Sequence, residues 1–523
     1  MKRTLVTFVL TAMAVVAVSG PAGAADYYVA PTGDDTAAGT SAERPLKTIA
    51  AGAAKARAGD TVHIAPGNYV ERVKISQSGA AGKPITLRRR GEGEVVWTTP
   101  PDEPKRFEDK YALSIEKQEY VEVVGLTFRD CLAWIGLFDS HHCVVRDCTF
   151  DGVKMYNAFR INSGSFNRIL NCRFVRSVVM TSFREDAGWI PTPGCDYIEI
   201  FRNSNYNLVE GCTFGNITHT AVSVSAVDPK QFSPTGNMVR KNVFRDPFWK
   251  CLWFHAGKHN VFEDNLCTGS AANFVQLEGG ASIIRRNRFV NYKDSTDGQP
   301  EVELRGVVRI QYDFAQHNRI YANLFYNNQR TITNNSYRWN VTDNLWQNNI
   351  FFANGQTVFL GFPDYATRNA NPFIRNVMLQ KTPGEKLIRL DKDVFTLKEA
   401  QEKLPELYRG NLEVDPKLVL KDGEATGLAD GSPCIDAGEA LTRTTSEGQG
   451  AAVPVADPLS FCDGNGMIPG DWIVIGSNAP TLLKEVNYEK KTLTVNRIIT
   501  WKSGDAVNLK YAGKGPDIGP FEQ

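Results

Sequence analysis

The chain has 523 residues, with 59 Lys plus Arg set against 58 Asp plus Glu, for a formal net charge of +1. So even a balance gives no reason to expect nucleic acid or a membrane surface as a partner. The length is too great for one compact core and suits a solenoid carrying an end module.

At the N-terminus, Met1-Lys2-Arg3, an apolar run Leu5–Val18 and Ala22-Gly23-Ala24 read as a cleaved secretory signal over residues 1–24. The run is short for a bilayer span, and no other long apolar stretch follows. The mature chain is therefore expected to be secreted or periplasmic, off the membrane, monomeric, and in a compartment where disulfides form. Residues 25–110 read as a cap with the first coils. Asp26–Ala30 is a short strand, Leu46–Ala58 a helix with Leu46, Ile49 and Ala53 on one face, and Gly59–Ala65 a second strand. A helix there covers exposed strand edges and apolar core at an open solenoid end.

From Val121 to Met378 an eight-residue phrase recurs ten times, at spacings of 22 to 40 residues. It has an often polar first residue, an apolar third, Cys or Asn sixth, and an apolar or aromatic eighth. Cys143–Phe150, Asn167–Phe174, Asn207–Phe214 and Asn237–Phe244 show it plainly. A unit this short cannot bury its own apolar face, so the copies are expected to stack. The sixth position runs Leu126, Cys148, Cys172, Cys212, Asn242, Asn265, Asn287, Asn323, Asn349, Asn376. Asn tolerates left-handed backbone angles and hydrogen-bonds locally, which suits a tight turn between strands. Of the ten cysteines, Cys148, Cys172 and Cys212 are expected to stack there as buried thiols. Cys434 and Cys462 are the better disulfide candidates. The lack of a Cys-x-x-Cys pair argues against structural zinc.

This pattern resembles the right-handed parallel β-helix of the pectate-lyase type, with an asparagine ladder between its second and third strands. The resemblance implies an all-β solenoid over residues 111–383, with the outer face of its first sheet as a substrate groove. Residues 384–523 then form a C-terminal capping module. Within it, Thr396 and Glu399 make a capping box opening a helix to about Leu407. Ser432–Gly438 and Pro516–Glu522 resemble an end segment of exported bacterial β-helix proteins. The β-rich piece between them is expected to stop the solenoid as a small barrel or hairpin pack, with Trp472 and Trp501 in its core.

Side chains alternate along a strand, so the inward apolar residues fix what points out. Inward Phe159, Ile198, Leu252, Val275 and Val308 place Arg160, Glu199, Trp253 with His255, Gln276 with Glu278, and Arg309 outward. An inward Tyr312 puts Gln311 and Asp313 on the same face. Insertions beside this face carry Trp189, Trp249 and Lys250, and aromatic rings beside a polar cleft suit sugar stacking. An acidic polysaccharide or oligosaccharide is the expected partner. Arg160, Glu199, Trp189, Trp253, Gln276 and Gln311 are the expected binding residues, and Arg309, His255, Lys250, Glu278 and Asp313 the catalytic candidates.

Two chemistries fit that set. Lyase cleavage needs a base and a positive group on the uronic carboxylate. Arg309 occupies the place of the catalytic arginine of pectate lyases, with Lys250 or His255 as base or carboxylate partner. Pectate lyases also carry clustered acidic calcium ligands. Here Ser223, Trp253 and Gln276 stand in those coils with only Glu278 nearby, so no metal is assigned. The rival is a glycoside hydrolase, which needs two carboxyl groups ~5–9.5 Å apart, supplied by Glu278 and Asp313. A non-catalytic glycan-binding or adhesin solenoid is the third reading.

Overall fold

The computed structural model describes residues 23–177, 180–184, 188–192, 194–228, 231, 233–295, 305–334, 341–360, 370–380 and 383–522. The signal-like residues 1–22 lie outside that set. Three long sheets run the length of the chain, with 14, 13 and 12 strands among the described residues. Successive strands visit the three sheets in turn, and each pairs in parallel with its counterpart one coil away. The result is a right-handed parallel β-helix, the sense such crossovers take.

The repeated phrase is the corner between two of these sheets. In Asn167–Phe174, residues Arg168–Leu170 belong to the 14-stranded sheet and Arg173–Arg176 to the 12-stranded one. The strands preceding each phrase, such as Asn157–Asn162, Asp196–Phe201, Thr220–Ser225, Lys250–Phe254 and Asn273–Leu277, form the 13-stranded sheet. Inside, Trp97, Phe128, Phe150, Phe174, Phe214 and Phe244 form one column with ring centres 4.7–5.2 Å apart.

The sixth-position asparagines do form a ladder. The Asn323 carboxamide oxygen accepts from the backbone N–H of Asn287 at 2.9 Å and from its side chain at 3.0 Å. The Asn323 amide donates to Ile284 O at 2.9 Å and to Asn349 Oδ1 at 3.0 Å. The chain of bonds runs from Asn242 to Asn411, one rung beyond the last phrase. The left-handed residue, however, is the one before the asparagine. Lys241, Asp264, Arg286, Ala322, Asn348 and Arg375 have φ of 52–56°. Ladder bonding, not backbone permissiveness, selects Asn at the sixth position.

The first position proves to be a second ladder, through Asn167, Asn207, Asn237 and Asn260, resuming at Asn318, Asn344 and Asn371. A third, shorter one links Asn328 to Asn354.

Several expectations need correction. The first helix is shorter, Ile49–Lys55, because Thr48 caps it and Leu46 is bridged to Val29. The capping box at Thr396 and Glu399 is present, but its helix ends at Lys403. That helix buries Leu397 and Ala400 in the solenoid core and so covers its end. The β-rich insertion does not stop the solenoid. Its six strands, each antiparallel to its neighbours and together spanning Thr442–Leu509, lie alongside. Val453, Ile473, Leu483 and Leu493 pack on Leu208, Met238, Val261 and Ile283, which are outward residues of the 14-stranded sheet. Trp501 is buried, whereas Trp472 is half exposed. Cys434 and Cys462 sit in separate apolar clusters, and all ten cysteines are free and buried. They act as small apolar side chains.

Asn323→Ala would leave at least two buried backbone groups without partners, at about 1–3 kcal/mol each. Thermal unfolding should show a loss of roughly 3 kcal/mol or more; a loss below about 1 kcal/mol would show the ladder to be ornamental. Reducing agent should leave the unfolding midpoint unchanged, since titration of unfolded protein should count ten thiols.

Candidate active site

The outward column of the 13-stranded sheet is in continuous register: Arg160, Glu199, Ser223, Trp253, Gln276 and Arg309 pair rung to rung. Each rung advances ~4.8 Å. A second column lies three residues earlier and comprises Asn157, Asp196, Thr220, Lys250 and Asn273. It exists because two successive residues turn inward on these strands. Tyr197 with Ile198, Ala221 with Val222, and Cys251 with Leu252 are all in the core. Strict alternation misses this column, and with it Asp196.

At one end of the face, Arg160 lies over the Phe201 ring at 4.2 Å and the Phe107 ring at 5.1 Å. Its Nε is 3.0 Å from a Glu199 oxygen. Asn157 and Ser225 also donate to Glu199, at 2.8 and 3.2 Å. Burial outweighs these contacts and pushes the Glu199 carboxyl up to about 7, with Asp196 adding to the rise against the pull of Arg160.

The middle of the face centres on Lys250. Its Nζ lies 4.5 Å from the Trp253 ring centre and 5.4 Å from that of Trp249. The residue is 4% exposed. Burial pulls its ammonium down to about 7, and Arg309 and Arg305 add to the fall while Asp196 and Glu278 oppose it. Beside it, Asp196 accepts from His219 Nδ1 at 2.6 Å and from Ser223 Oγ at 2.9 Å, and the Tyr156 hydroxyl oxygen lies 3.0 Å from the same ring nitrogen. Tyr156, Asp196, His219 and Arg305 were not expected here. His219 was legible as the residue entering the strand Thr220–Ser225.

Glu278 forms the third node. It is buried and accepts from the side-chain amides of Gln276 and Gln311. His255 Nε2 is 3.7 Å from its second oxygen, and the His255 ring meets Trp253 edge-on. The face thus brings together Arg160, Glu199, Lys250, Trp253, His255, Gln276, Glu278, Arg309 and Gln311. Asp313 is the exception. The strand ends at Ile310, and Tyr312 takes φ of 71°, is 38% exposed, and starts a turn. Alternation fails there, so Asp313 is an exposed turn residue. Trp189 lies on a hairpin strand, Gly188–Thr192, paired with Met180–Arg184; its side chain is outside the described residues.

The donors do not fit a calcium ion. Asp196 is committed to His219 and Ser223, and the neighbouring rungs present Trp253 and Gln276. Among the described residues no three His, Cys, Asp or Glu side chains gather as a metal site.

Residues 111–293 match the family described as right handed beta helix region, and residues 31–75 match a protein family of unknown function, DUF1565. The first description agrees with the right-handed parallel β-helix formed by the three sheets. The protein YwoF of Bacillus subtilis (strain 168) is 33% identical over 142 residues, 25% of this chain and 30% of that one. Pectate lyase PEL9 of Emericella nidulans is 37% identical over 113 residues, 20% of this chain and 27% of that one. The matched segments span less than a third of either relative. The crystal structure of pectate lyase Pel9A superposes with a TM-score of 0.46 at 13% identity, covering 96% of this chain and 97% of that one.

The raised Glu199 carboxyl has a consequence for stability. The folded chain holds a proton that the unfolded chain releases above pH 4.5, so stability falls as pH rises from about 4.5 to 7. Glu199→Gln should flatten that part of the stability–pH curve; an unaltered slope would place the proton elsewhere.

Proposed function

We propose that the chain is an exported carbohydrate-active enzyme that cleaves an acidic polysaccharide by β-elimination. The observation that carries this reading is Lys250, a buried lysine brought to about 7 on a groove face. A lysine near neutrality is a usable base, because a large share is unprotonated while the free amine is still basic enough to take a proton. Two indole rings flank it, as a sugar-binding cleft requires. Arg309 stands two rungs from Trp253, about 10 Å along the face.

Lys250 Nζ takes the proton from the carbon bearing the uronic carboxyl group. The carboxylate, held by Arg309, carries the developing negative charge. The electron pair then forms the ring double bond and expels the glycosidic oxygen, which is protonated by water. His219 and Ser223 hold Asp196, whose negative charge tempers the fall in the lysine's basicity. Export to the cell exterior or periplasm goes with this substrate. The hydrolase reading is weaker here, because Asp313 leaves the sheet and Glu278 loses its paired carboxyl group.

A panel of free-acid polyuronates, read by the ultraviolet absorbance of the unsaturated product, tests the proposal. Lys250→Ala should lower turnover by about 10²–10⁴-fold, the range for a positioned base. In the wild type, kcat/KM should rise with pH through about 7 as Lys250 loses its proton. New reducing ends without unsaturation would favour hydrolysis, and an active Lys250→Ala variant would remove the base assignment.

A further inference from the structure

Arg305 has no place in the reaction outlined above, although its side chain stands against that site. Its guanidinium lies 5.3 Å over the Trp249 ring, the same indole that borders Lys250. Stacking of this kind fixes the plane of the guanidinium and leaves its in-plane donors to point past the ring edge. One of them, Nη1, is buried without a hydrogen-bond partner. Two other groups around Lys250 share that deficit, namely Trp253 Nε1 and one oxygen of Glu278. A buried unpaired polar group is costly, and such groups clustered in a groove imply a ligand that completes them.

The local charge points to what that ligand carries. Arg305 and Arg309 both press on the Lys250 ammonium, so three cations share one neighbourhood. The facing carboxylates are already engaged. Asp196 accepts from His219 and Ser223 at both oxygens, and Glu278 accepts from Gln276 and Gln311 at one oxygen while the other faces His255 Nε2 at 3.7 Å. Among the described residues no carboxylate forms an ion pair with Arg305, so one substrate carboxylate at Arg309 leaves its positive charge without a counter-ion there.

We propose that Arg305 is a specificity-determining residue: backed by Trp249, it binds a second carboxylate, on a sugar next to the one that reacts. The assignment rests on the β-elimination reading for its substrate class, but the clamp is a matter of binding. The enzyme then prefers chains with free acid groups on adjacent sugars over chains in which neighbours are esterified.

The test compares Arg305→Gln and Arg305→Lys with wild type on a free-acid polyuronate and on the same polymer partly methyl-esterified. On the free acid, Arg305→Gln should raise KM by about ten- to a hundredfold, as expected for a lost charged hydrogen bond, with little change in kcat. On the esterified polymer the change should stay within about twofold, and Arg305→Lys should recover part of the loss. Equal losses on both polymers would overturn the assignment and mark Arg305 as structural. Calorimetric titration of free-acid and esterified oligomers into wild type and Arg305→Gln reads the clamp without turnover. Weakened binding of the free acid alone supports it even where wild type yields no unsaturated product, a result that would defeat only the elimination reading. Unchanged binding of the free acid overturns the clamp itself.

Discussion

The structure depends on amides buried at its corners. At two of the three turns per coil, asparagine side chains bond to the next rung's backbone and to the next asparagine, from Asn167 to Asn260 and again from Asn318 to Asn371 on one corner, and from Asn242 through Asn411 on the other. Each such amide satisfies donors and acceptors that a sharp turn would otherwise leave unpaired inside the cylinder. The geometry permits only one register, because a slip by one residue would put the amide against apolar core and turn each strand inside out. Register, in turn, aligns Arg160, Glu199, Ser223, Trp253, Gln276 and Arg309 in one column. The chemistry of the face is thus inherited from the corners.

The corner ladder was legible because it is periodic. Asn recurs at the same place in six successive phrases, with Cys in the three before, and Cys212 N donates to Asn242 Oδ1 where thiol gives way to amide. The outward column followed from period-two alternation, and so did the placement of Glu278 and Gln311. The column of Asp196 and Lys250 was only half legible. Lys250 was read from its loop, while Asp196 was hidden by two consecutive inward residues, Tyr197 and Ile198. Asp313 was misplaced for a related reason: the left-handed Tyr312 ends the strand, and nothing local distinguishes that tyrosine from an inward one. Arg305 carried no periodic signal at all, since its meaning comes from Trp249, a residue brought over it by coiling.

Burial, not pairing, governs Glu199 and Lys250 on this face. Glu199 has Arg160 beside it, which alone would lower its carboxyl, yet desolvation wins and lifts it to about 7. Lys250 has Asp196 and Glu278 as neighbours, which alone would raise its ammonium, yet desolvation again wins and brings it down to about 7. The contrast with Glu263 is instructive. It is as deeply buried, but three guanidiniums, of Arg285, Arg286 and Arg240, surround it and hold its carboxyl down at about 2. Glu263 belongs to the seam where Asp471 of the β-rich insertion locks onto Arg285. Glu263 is over-compensated by its cations, whereas Glu199 and Lys250 in the groove are under-compensated, and that difference separates the two uses of buried charge.

The tail explains why the groove lies where it does. The β-rich insertion covers outward residues of the 14-stranded sheet, from Leu208 to Tyr321. The segments around Ala425, Leu428, Cys434 and Ile518 cover outward residues of the 12-stranded sheet, from Leu266 to Val377. Those two faces are apolar and need a cover. The 13-stranded sheet presents Arg, Glu, Lys and Gln in place of Leu and Val, and among the described residues no apolar cluster of the tail packs over that polar column. A solenoid has three faces of nearly equal geometry. Here two of them are apolar enough over these coils to hold the chain's own C-terminal quarter, and among the described residues the charged third face is left uncovered by it.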